Sequence, residues 1–167
     1  MDGEAKRGRD RDFTAFVASA TPSLMRTALL LTDSQAAAQD LVQATFVKVY
    51  LAWPKVRQGT ATAYARRVLV NERTDTWRRT RREVVVGEVP DVRSTPAAEN
   101  GEREQVLAML RQLPATQRKV IVLRYYEDLS EQTTADHLGL SVSAVKSATH
   151  RAMTTLRTIM SNEEARP

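Results

Sequence analysis

Several residue types that build stabilising cross-links or metal sites are rare or absent in this chain. Its 167 residues include no cysteine and only two histidines, His137 and His150. Without cysteine there are no disulfides or thiolate metal sites, and two histidines argue against a metal site built from imidazole. The longest apolar run near the start covers residues 28–31, far too short to span a bilayer. We therefore expect no cofactor and no membrane insertion.

The N-terminal segment gives the same indication about location. It is charged and lacks the apolar stretch of a secretory signal, which predicts a cytoplasmic protein. Hydrophobic residues make up 42% of the chain and charged residues 27%, a balance typical of a folded protein rather than a disordered one.

Positive charge is present in two separate blocks. The net charge is +5, and residues 61–82 alone carry seven arginines against Glu72 and Asp75. Residues 83–103 reverse the sign, with five acids against Arg93 and Arg103. Residues 139–167 are again net positive. This distribution favours a polyanionic partner such as nucleic acid.

The acidic stretch between the blocks, EVVVGEVPDVRSTPAAENG, contains two prolines and two glycines and has no helical period. Such a stretch usually connects domains. The sequence therefore predicts an all-α fold of two small helical domains, residues 12–82 and 102–160, joined by an extended linker over residues 83–101. Residues 1–11 and 161–167 are predicted to be tails, the first of them disordered because it lacks apolar anchors.

The N-terminal domain has the pattern of three helices. The first is expected to begin near Asp12, to break at Pro22 and to restart. The second begins near Ser34, and Pro54 ends it. The third follows a short loop and continues into the arginine-rich segment, and Tyr64 near its start is predicted to face inward.

The third helix carries the first nucleic-acid pattern. Arg67 and Asn71 are four residues apart and share a face, and Trp77 lies beside Arg78 and Arg79 at the helix end. Arginine binds phosphate through a planar fork, and an aromatic ring can stack on an exposed base. The alternative is that Trp77 packs in the core while the arginines only keep the surface soluble.

The second pattern is a helix-turn-helix. Ser130 can cap a helix over residues 131–138, and Gly139 supplies the left-handed residue that ends it. Ser141 or Ser143 then caps a longer helix. Two helices joined by a short turn that contains glycine are typical of DNA-binding proteins.

The second helix of this pair, predicted to end near Met160, divides into two faces. Spacings of three and four residues place one set on a buried stripe: Val145, Thr149, Ala152, Leu156 and Ile159. Candidate DNA-contacting residues occupy the other side in the first turns: Ser143, Lys146, Ser147, His150 and Arg151. A solvated face on an ordinary amphipathic helix is the alternative.

These motifs together resemble the extracytoplasmic-function (ECF) sigma factors, small sigma-70 type factors of bacterial transcription initiation. LPATQRKVIVLRYYEDLS and LGLSVSAVKSATHRA resemble region 4, AQDLVQATFVKVYLAW resembles region 2.2, and AYARRVLVNERTDTWRR resembles regions 2.3 and 2.4. The resemblance extends from about Phe13 to Met160 and is greatest to an actinobacterial subgroup of small stress-type factors.

The resemblance implies a role for each part. The chain would bind core RNA polymerase, recognise the −35 and −10 promoter elements and direct initiation, with no enzymatic activity. Docking on the clamp helices of the largest subunit would fall to Asp40, Leu41, Gln43 and Phe46. Binding of the −10 element would fall to Arg67, Asn71, Trp77, Arg78 and Arg79. The −35 element would meet Ser143, Lys146, Ser147, His150 and Arg151. The flap of the second-largest subunit and an anti-sigma factor are further implied partners.

Four positions depart from the family pattern: Gln39, Thr134, Ala148 and Thr149. Gln39 replaces the usual glutamate, and the two threonines replace aliphatic residues of the helix-turn-helix. Each threonine is expected to weaken that core by about 1 kcal/mol if its hydroxyl lacks a partner. Ala148 stands where a basic residue is common, which predicts a lost DNA contact.

Two other classes of protein are alternatives to a sigma factor. A free-standing regulator that binds operator DNA would have the same helix-turn-helix, but it would need neither the DLVQ segment nor the second basic block. An enzyme is not supported, because the sequence has no glycine-rich phosphate loop, no cysteine and no convincing metal-ligand spacing.

Overall fold

The computed structural model describes residues 2–83 and 101–165, with side chains for all of these except residues 2, 58 and 73–83. Every regular element in these ranges is helical, so the predicted all-α class is confirmed. The chain forms two compact units. One holds the residues up to Leu29 and those from Ser34 to the end of the third helix, and the other holds Leu30–Asp33 and the later helices.

The first unit is built from three long helices, α1 (Asp2–Leu31), α2 (Gln35–Ala52) and α3 (Ala61–Glu83), although the last two residues of α1 belong to the other unit. Two single 3₁₀ turns, Trp53–Lys55 and Gln58–Thr60, connect α2 to α3. The predicted linker over residues 83–101 lies almost entirely outside the described residues.

The second unit is built from four helices. These are α4 (Gly101–Arg111), α5 (Ala115–Ile121), α6 (Glu131–Leu138) and α7 (Val142–Glu164). A π-helical turn, Val122–Tyr126, extends α5 before the loop that leads to α6. In the described part of the chain, no helix has an apolar stretch long enough to cross a bilayer.

The first helix begins much earlier than the sequence predicts. Residues 2–11, expected to be disordered, are helical in α1. Tyr50 of α2 donates a hydrogen bond to Asp10 Oδ1 at 2.8 Å, and the Arg9 guanidinium lies 5.6 Å from the centre of the Tyr50 ring. These two contacts fix the segment by polar groups, whereas the prediction of disorder considered only apolar anchors.

Helix α1 also continues through Pro22, where a break was predicted. Proline removes one backbone donor, the one that would bond to Ala18 O, but it kinks a helix without ending it when packing holds the chain on both sides. The hydroxyls of Thr21 and Ser19 bond within the same helix, Thr21 Oγ1 donating to Val17 O at 2.6 Å and Ser19 Oγ to Phe16 O at 2.9 Å. Leu24 beyond the proline is buried, so packing holds the helix on that side as well.

Helix α2 begins and ends where the sequence predicts. The Ser34 hydroxyl accepts a hydrogen bond from Ala37 N at 3.1 Å, and Pro54 follows the last helical residues. Phe13 of α1 packs edge-on against α2 and the residue after it, with ring centres 5.0 Å from Tyr50 and 5.1 Å from Trp53. This aromatic cluster fixes α1 against α2.

The helix-turn-helix forms as predicted. Ser130 Oγ accepts from Thr133 N at 3.0 Å, and Gly139 has φ of 63°. Of the two candidate caps for the second helix, Ser141 is the one used, because its hydroxyl accepts from Ala144 N at 3.0 Å. Helix α7 runs to Glu164, past the predicted end near Met160, since no glycine or proline interrupts residues 161–164.

Candidate nucleic-acid interface

One side of α7 presents the polar residues that the sequence selects for DNA contact. All five are exposed: Ser143, Lys146, Ser147, His150 and Arg151. They lie in the first three turns, after the Ser141 cap. The arrangement offers two cationic side chains together with hydroxyl and imidazole groups that can hydrogen-bond to base edges or phosphates.

The opposite side of α7 packs against α5 and α6. A small core cluster joins Val120, Ala135, Val145 and Ala148, with Leu138 and Leu140 packed against it. The expected effect of Ala148 is therefore wrong. This residue lies in the core of the helix-turn-helix rather than on the exposed polar side of α7, and its small side chain permits close packing of the helices.

The two threonines of the helix-turn-helix differ in their surroundings. Thr149 is half-buried, and its hydroxyl donates to Val145 O at 2.8 Å. Thr134 is fully buried, and its hydroxyl oxygen has no hydrogen-bond partner. The cost predicted for an unpartnered hydroxyl therefore applies to Thr134 and not to Thr149.

An acidic side chain lies beside the recognition face of α7, the exposed side formed by Ser143, Lys146, Ser147, His150 and Arg151. Glu131 begins α6, and its Oε2 lies 3.7 Å from Lys146 Nζ in the second turn of α7. The Lys146 side chain is 63% exposed and that of Glu131 is 37% exposed. The pair therefore links the two helices of the motif on a side that is open to solvent.

In the first unit, Arg67 and Asn71 are both exposed on α3, as predicted. Tyr64 was expected to face inward, but it is 36% exposed. Tyr64 is three residues before Arg67 and seven before Asn71, so all three share one helix face. The spacing is visible in the sequence, but the assumption that tyrosine packs inward excluded Tyr64 from this face. The side chains of Trp77, Arg78 and Arg79 lie outside the described ones, although all three residues belong to α3.

The rotation of α3 is set by what it buries. Its inner side carries Ala61, Ala65, Leu69 and Val70, all nearly inaccessible. Glu72, next to Asn71, is also buried, and its carboxylate forms an ion pair with Lys48 of α2. Burial of these residues leaves the side with Arg67 and Asn71 facing solvent.

A groove between α1 and α2, with a volume of about 560 Å³, lies on the first unit. Gln39, Gln43, Phe46, Val47 and Leu51 line its α2 side. Of these, Val47 and Leu51 are 57% and 76% exposed, an unusual exposure for aliphatic side chains. The spacing of four residues from Gln43 through Val47 to Leu51 could have identified this stripe.

Two of the residues predicted to dock on core polymerase differ in their exposure. Asp40 is exposed and flanks the groove-lining residues on α2, whereas Leu41 is only 6% exposed. The assignment of Leu41 to docking is therefore wrong, because its side chain belongs to the core of the first unit. The motif assigned Leu41 to docking, and packing buries its side chain.

Among the described residues, no group of three or more acidic, histidine or cysteine side chains is arranged to hold a metal ion. What the described surface does offer is two polar helix faces and one apolar groove.

Comparison with known proteins assigns both units. A model of sigma-70 region 2 matches residues 8–83, and a model of sigma-70 region 4 matches residues 103–156. An RNA polymerase sigma-E factor of Streptomyces avermitilis is 37% identical over 153 residues, covering 90% of this chain and 86% of that protein. The ECF RNA polymerase sigma factor SigL of Mycobacterium tuberculosis is 35% identical over 149 residues, covering 80% of each chain.

A solved structure agrees with this assignment. The sigma factor RpoE of Bartonella quintana, crystallised with the anti-sigma factor NepR, superposes with a TM-score of 0.74 at 25% identity, covering 90% of this chain and 98% of that one. A free-standing operator-binding regulator is not favoured, because the N-terminal half matches region 2. On these matches, the chain belongs to the ECF group of the sigma-70 family of RNA polymerase sigma factors.

Proposed function

We propose that three surfaces of this sigma factor make separate contacts during transcription initiation. The apolar groove on α1 and α2 binds core polymerase, the exposed face of α3 holds the −10 element, and the exposed face of α7 reads the −35 element. The observation that carries this proposal is the difference in chemistry between the surfaces. The groove exposes aliphatic side chains, whereas the two helix faces expose cations and hydrogen-bonding groups.

The groove is suited to a protein partner. Val47 and Leu51 present apolar area to solvent, and Gln43 and Asp40 supply polar groups at its margin. An apolar centre with a polar rim is the usual anatomy of a protein–protein interface. The clamp helices of the largest polymerase subunit are the proposed occupant, with Phe46 forming part of the floor.

The face of α3 is suited to single-stranded DNA. Tyr64 offers a ring on which an unstacked base can lie, Asn71 can read a base edge and Arg67 can hold a phosphate. The arginines further along α3, Arg78 and Arg79 beside Trp77, extend the positive charge along the helix. We include these three in the −10 surface on the strength of their sequence pattern alone.

The face of α7 is suited to the major groove. Its five exposed polar residues lie in the N-terminal half of the second helix of a helix-turn-helix, the part that contacts base edges in this motif. Lys146 and Arg151 supply charge, and Ser143, Ser147 and His150 supply hydrogen-bonding groups. Each base-reading arginine contributes roughly 1–3 kcal/mol of discrimination.

Partners and location follow from this role. The protein works on the chromosome with polymerase, so we propose that it acts in the cytoplasm and has no catalytic activity of its own. The flap of the second-largest polymerase subunit is a further proposed contact of the second unit. An anti-sigma factor is a proposed inhibitory partner, because RpoE of Bartonella quintana was crystallised with one.

Run-off transcription with core polymerase tests the proposal. Promoters are first selected in vitro with the holoenzyme, and the transcripts are then measured with variants of the chain. If core polymerase neither binds the chain nor initiates with it, the proposal is wrong.

Matched variants test each surface separately. Val47→Ser with Leu51→Ser should weaken core binding without unfolding the chain, because both side chains are exposed. Gln35→Ser on the same helix, also exposed but outside the groove, is the control. Equal core affinity of the double variant and the control would remove the groove from the docking surface.

The −35 surface has an equally close control. Arg151→Ala should weaken promoters with an intact −35 element by roughly 1–3 kcal/mol if it reads a base. Arg157→Ala removes the same charge from an exposed position further along α7 and should leave promoter choice unchanged. Asn71→Ala should change selection at the −10 element and not at the −35 element.

A further inference from the structure

We propose that Glu131 is a specificity-determining residue of the −35 surface, acting through Lys146. By pairing with Lys146 and by repelling phosphate, it lowers the affinity of the helix-turn-helix for DNA that lacks the correct −35 sequence. The inference rests on the proposed −35 role of α7 and deepens it by adding a negative charge on the first helix of the motif.

The geometry brings one acid to a basic surface. Glu131 Oε2 lies 3.7 Å from Lys146 Nζ, and both side chains are open to solvent. The recognition face has two full cations, Lys146 and Arg151, so a single carboxylate offsets half of their charge. An anion at this place therefore has a large effect on how strongly the face attracts DNA.

The ion pair between Glu131 and Lys146 contributes little to the stability of the motif. Glu131 is already favoured at the first turn of α6, where a negative charge interacts well with the helix N-terminus. The hydroxyl of Ser130 caps the same helix, accepting from Thr133 N at 3.0 Å. Because an exposed ion pair adds little stability, the Lys146 contact is not needed to hold the two helices together.

The position of Glu131 works against phosphate binding. In this motif the first helix crosses the DNA backbone, and a helix N-terminus normally attracts phosphate through its free N–H groups. A carboxylate placed there repels phosphate instead. Non-specific affinity comes almost wholly from phosphate contacts, so this repulsion falls most heavily on incorrect sites.

The pair also restricts Lys146. An unpaired lysine at the edge of the DNA major groove contacts the nearest phosphate, whatever the DNA sequence. Held by Glu131, the Lys146 ammonium gains a phosphate only by giving up the carboxylate. At a correct −35 element the other residues of the face add base contacts that offset this loss, whereas at incorrect DNA they do not, so the ratio of specific to non-specific binding rises.

The experiment compares two templates in the assembled holoenzyme. One is a promoter selected in vitro, and the other is identical except that its −35 element is scrambled. Affinity is measured over a range of salt concentrations for the parent chain, Glu131→Gln, Lys146→Gln and the double variant. The control is Asp136→Asn, an exposed acid on the same helix whose carboxylate accepts from Gln132 at 3.0 Å.

Glu131→Gln should bind the scrambled template roughly two- to five-fold more tightly, the size expected of one exposed ion pair. The affinity ratio of the two templates should fall, and the salt slope should steepen by about 0.9, the value of one added phosphate contact. The effect should become smaller in the Lys146→Gln background, where only the repulsion between Glu131 and phosphate remains, and Asp136→Asn should behave like the parent.

Three results would overturn the inference. The first is that Glu131→Gln and Asp136→Asn change binding equally. The second is that the Glu131→Gln effect persists in full without Lys146. The third is a change in melting temperature with no change in template ratio or salt slope, since that would give Glu131 a structural role only.

The proposed −35 role fails in a different way. If Lys146→Gln leaves binding to the intact −35 element unchanged, Lys146 is not part of the reading surface. If Lys146→Gln weakens that binding while Glu131→Gln has no effect, the −35 role stands and only the inference about Glu131 is wrong.

Discussion

Replacement of Thr134 by valine should stabilise the second unit. Thr134 is fully buried in α6, and its hydroxyl oxygen has no hydrogen-bond partner. Its neighbour Ala135 belongs to the apolar cluster with Val120 and Val145. Valine has almost the same shape and replaces the hydroxyl by a methyl group, so the site keeps its volume and loses its unpaired polar atom.

The size of the effect follows from the burial. A buried polar group without a partner costs about 1–3 kcal/mol, and valine and threonine have similar helix propensities. The close fit of the site reduces the gain, because a methyl group is slightly larger than a hydroxyl. We expect the free energy of unfolding to rise by about 1–2 kcal/mol, which is several degrees in melting temperature for a unit of this size.

Calorimetry of the full chain measures this directly, because a change confined to the second unit should shift only its part of the unfolding transition. Thr149→Val is the matched control. Its hydroxyl donates to Val145 O at 2.8 Å and is half-buried, so valine there should give no gain and a small loss. A neutral or destabilising Thr134→Val, or an equal gain at both sites, would refute the reasoning.

Three further changes test the packing and the turn. Glu72→Gln should lower the free energy of unfolding by about 1–2 kcal/mol. This is less than the roughly 3–5 kcal/mol of a fully buried ion pair, because the Lys48 side chain is half exposed. Urea titration measures the free energy of unfolding, and no loss would exclude a stabilising pair. Gly139→Ala should lower the free energy of unfolding by about 1 kcal/mol. The cause is backbone strain at φ of 63° and not a clash, since no atom lies within 4 Å of the added methyl group. Gly139→Asn should restore part of the loss, and an unchanged melting temperature of Gly139→Ala would contradict this prediction. Ser141→Ala removes the cap of α7 and should cost about 1 kcal/mol, with Ser141→Asp retaining stability; equal stability of all three chains by thermal melts would count against the cap.

The helix-turn-helix was predictable because local chemistry determines it. Serine caps and a left-handed glycine act within four residues, so Ser130 and Gly139 specify the ends of α6 without help from the rest of the chain. The exposed face of α7 is equally local, since a period of 3.6 residues separates Lys146 and Arg151 from Val145 and Ala152. Nearly all of the proposed −35 surface was accessible from the sequence for this reason.

Other features depended on distant partners. Arg9 and Asp10 belong to the first helix and contact Tyr50, forty residues away from Asp10 in the chain. Leu41 lies in the core and Leu51 at the surface because α2 packs one side against its neighbours. The four-residue spacing groups Leu51 with Gln43 and Val47, but only packing decides which side of the helix is buried. Ala148 was misread because the family resemblance suggested a basic residue at this position, although spacings of three residues from Val145 and four to Ala152 place it on the buried side.

The sequence by itself therefore determined the all-α class, the capped helices, the basic faces and the family, since each depends on residue type and short-range spacing. Tertiary structure decided the burial and exposure that these local patterns do not specify. Burial is a property of packing between helices, and it exposes Tyr64 beside Asn71, opens the groove at Val47 and leaves Thr134 without a partner. It also brings Glu131 to Lys146, and with that contact adds a negative charge to a surface that the sequence shows only as basic.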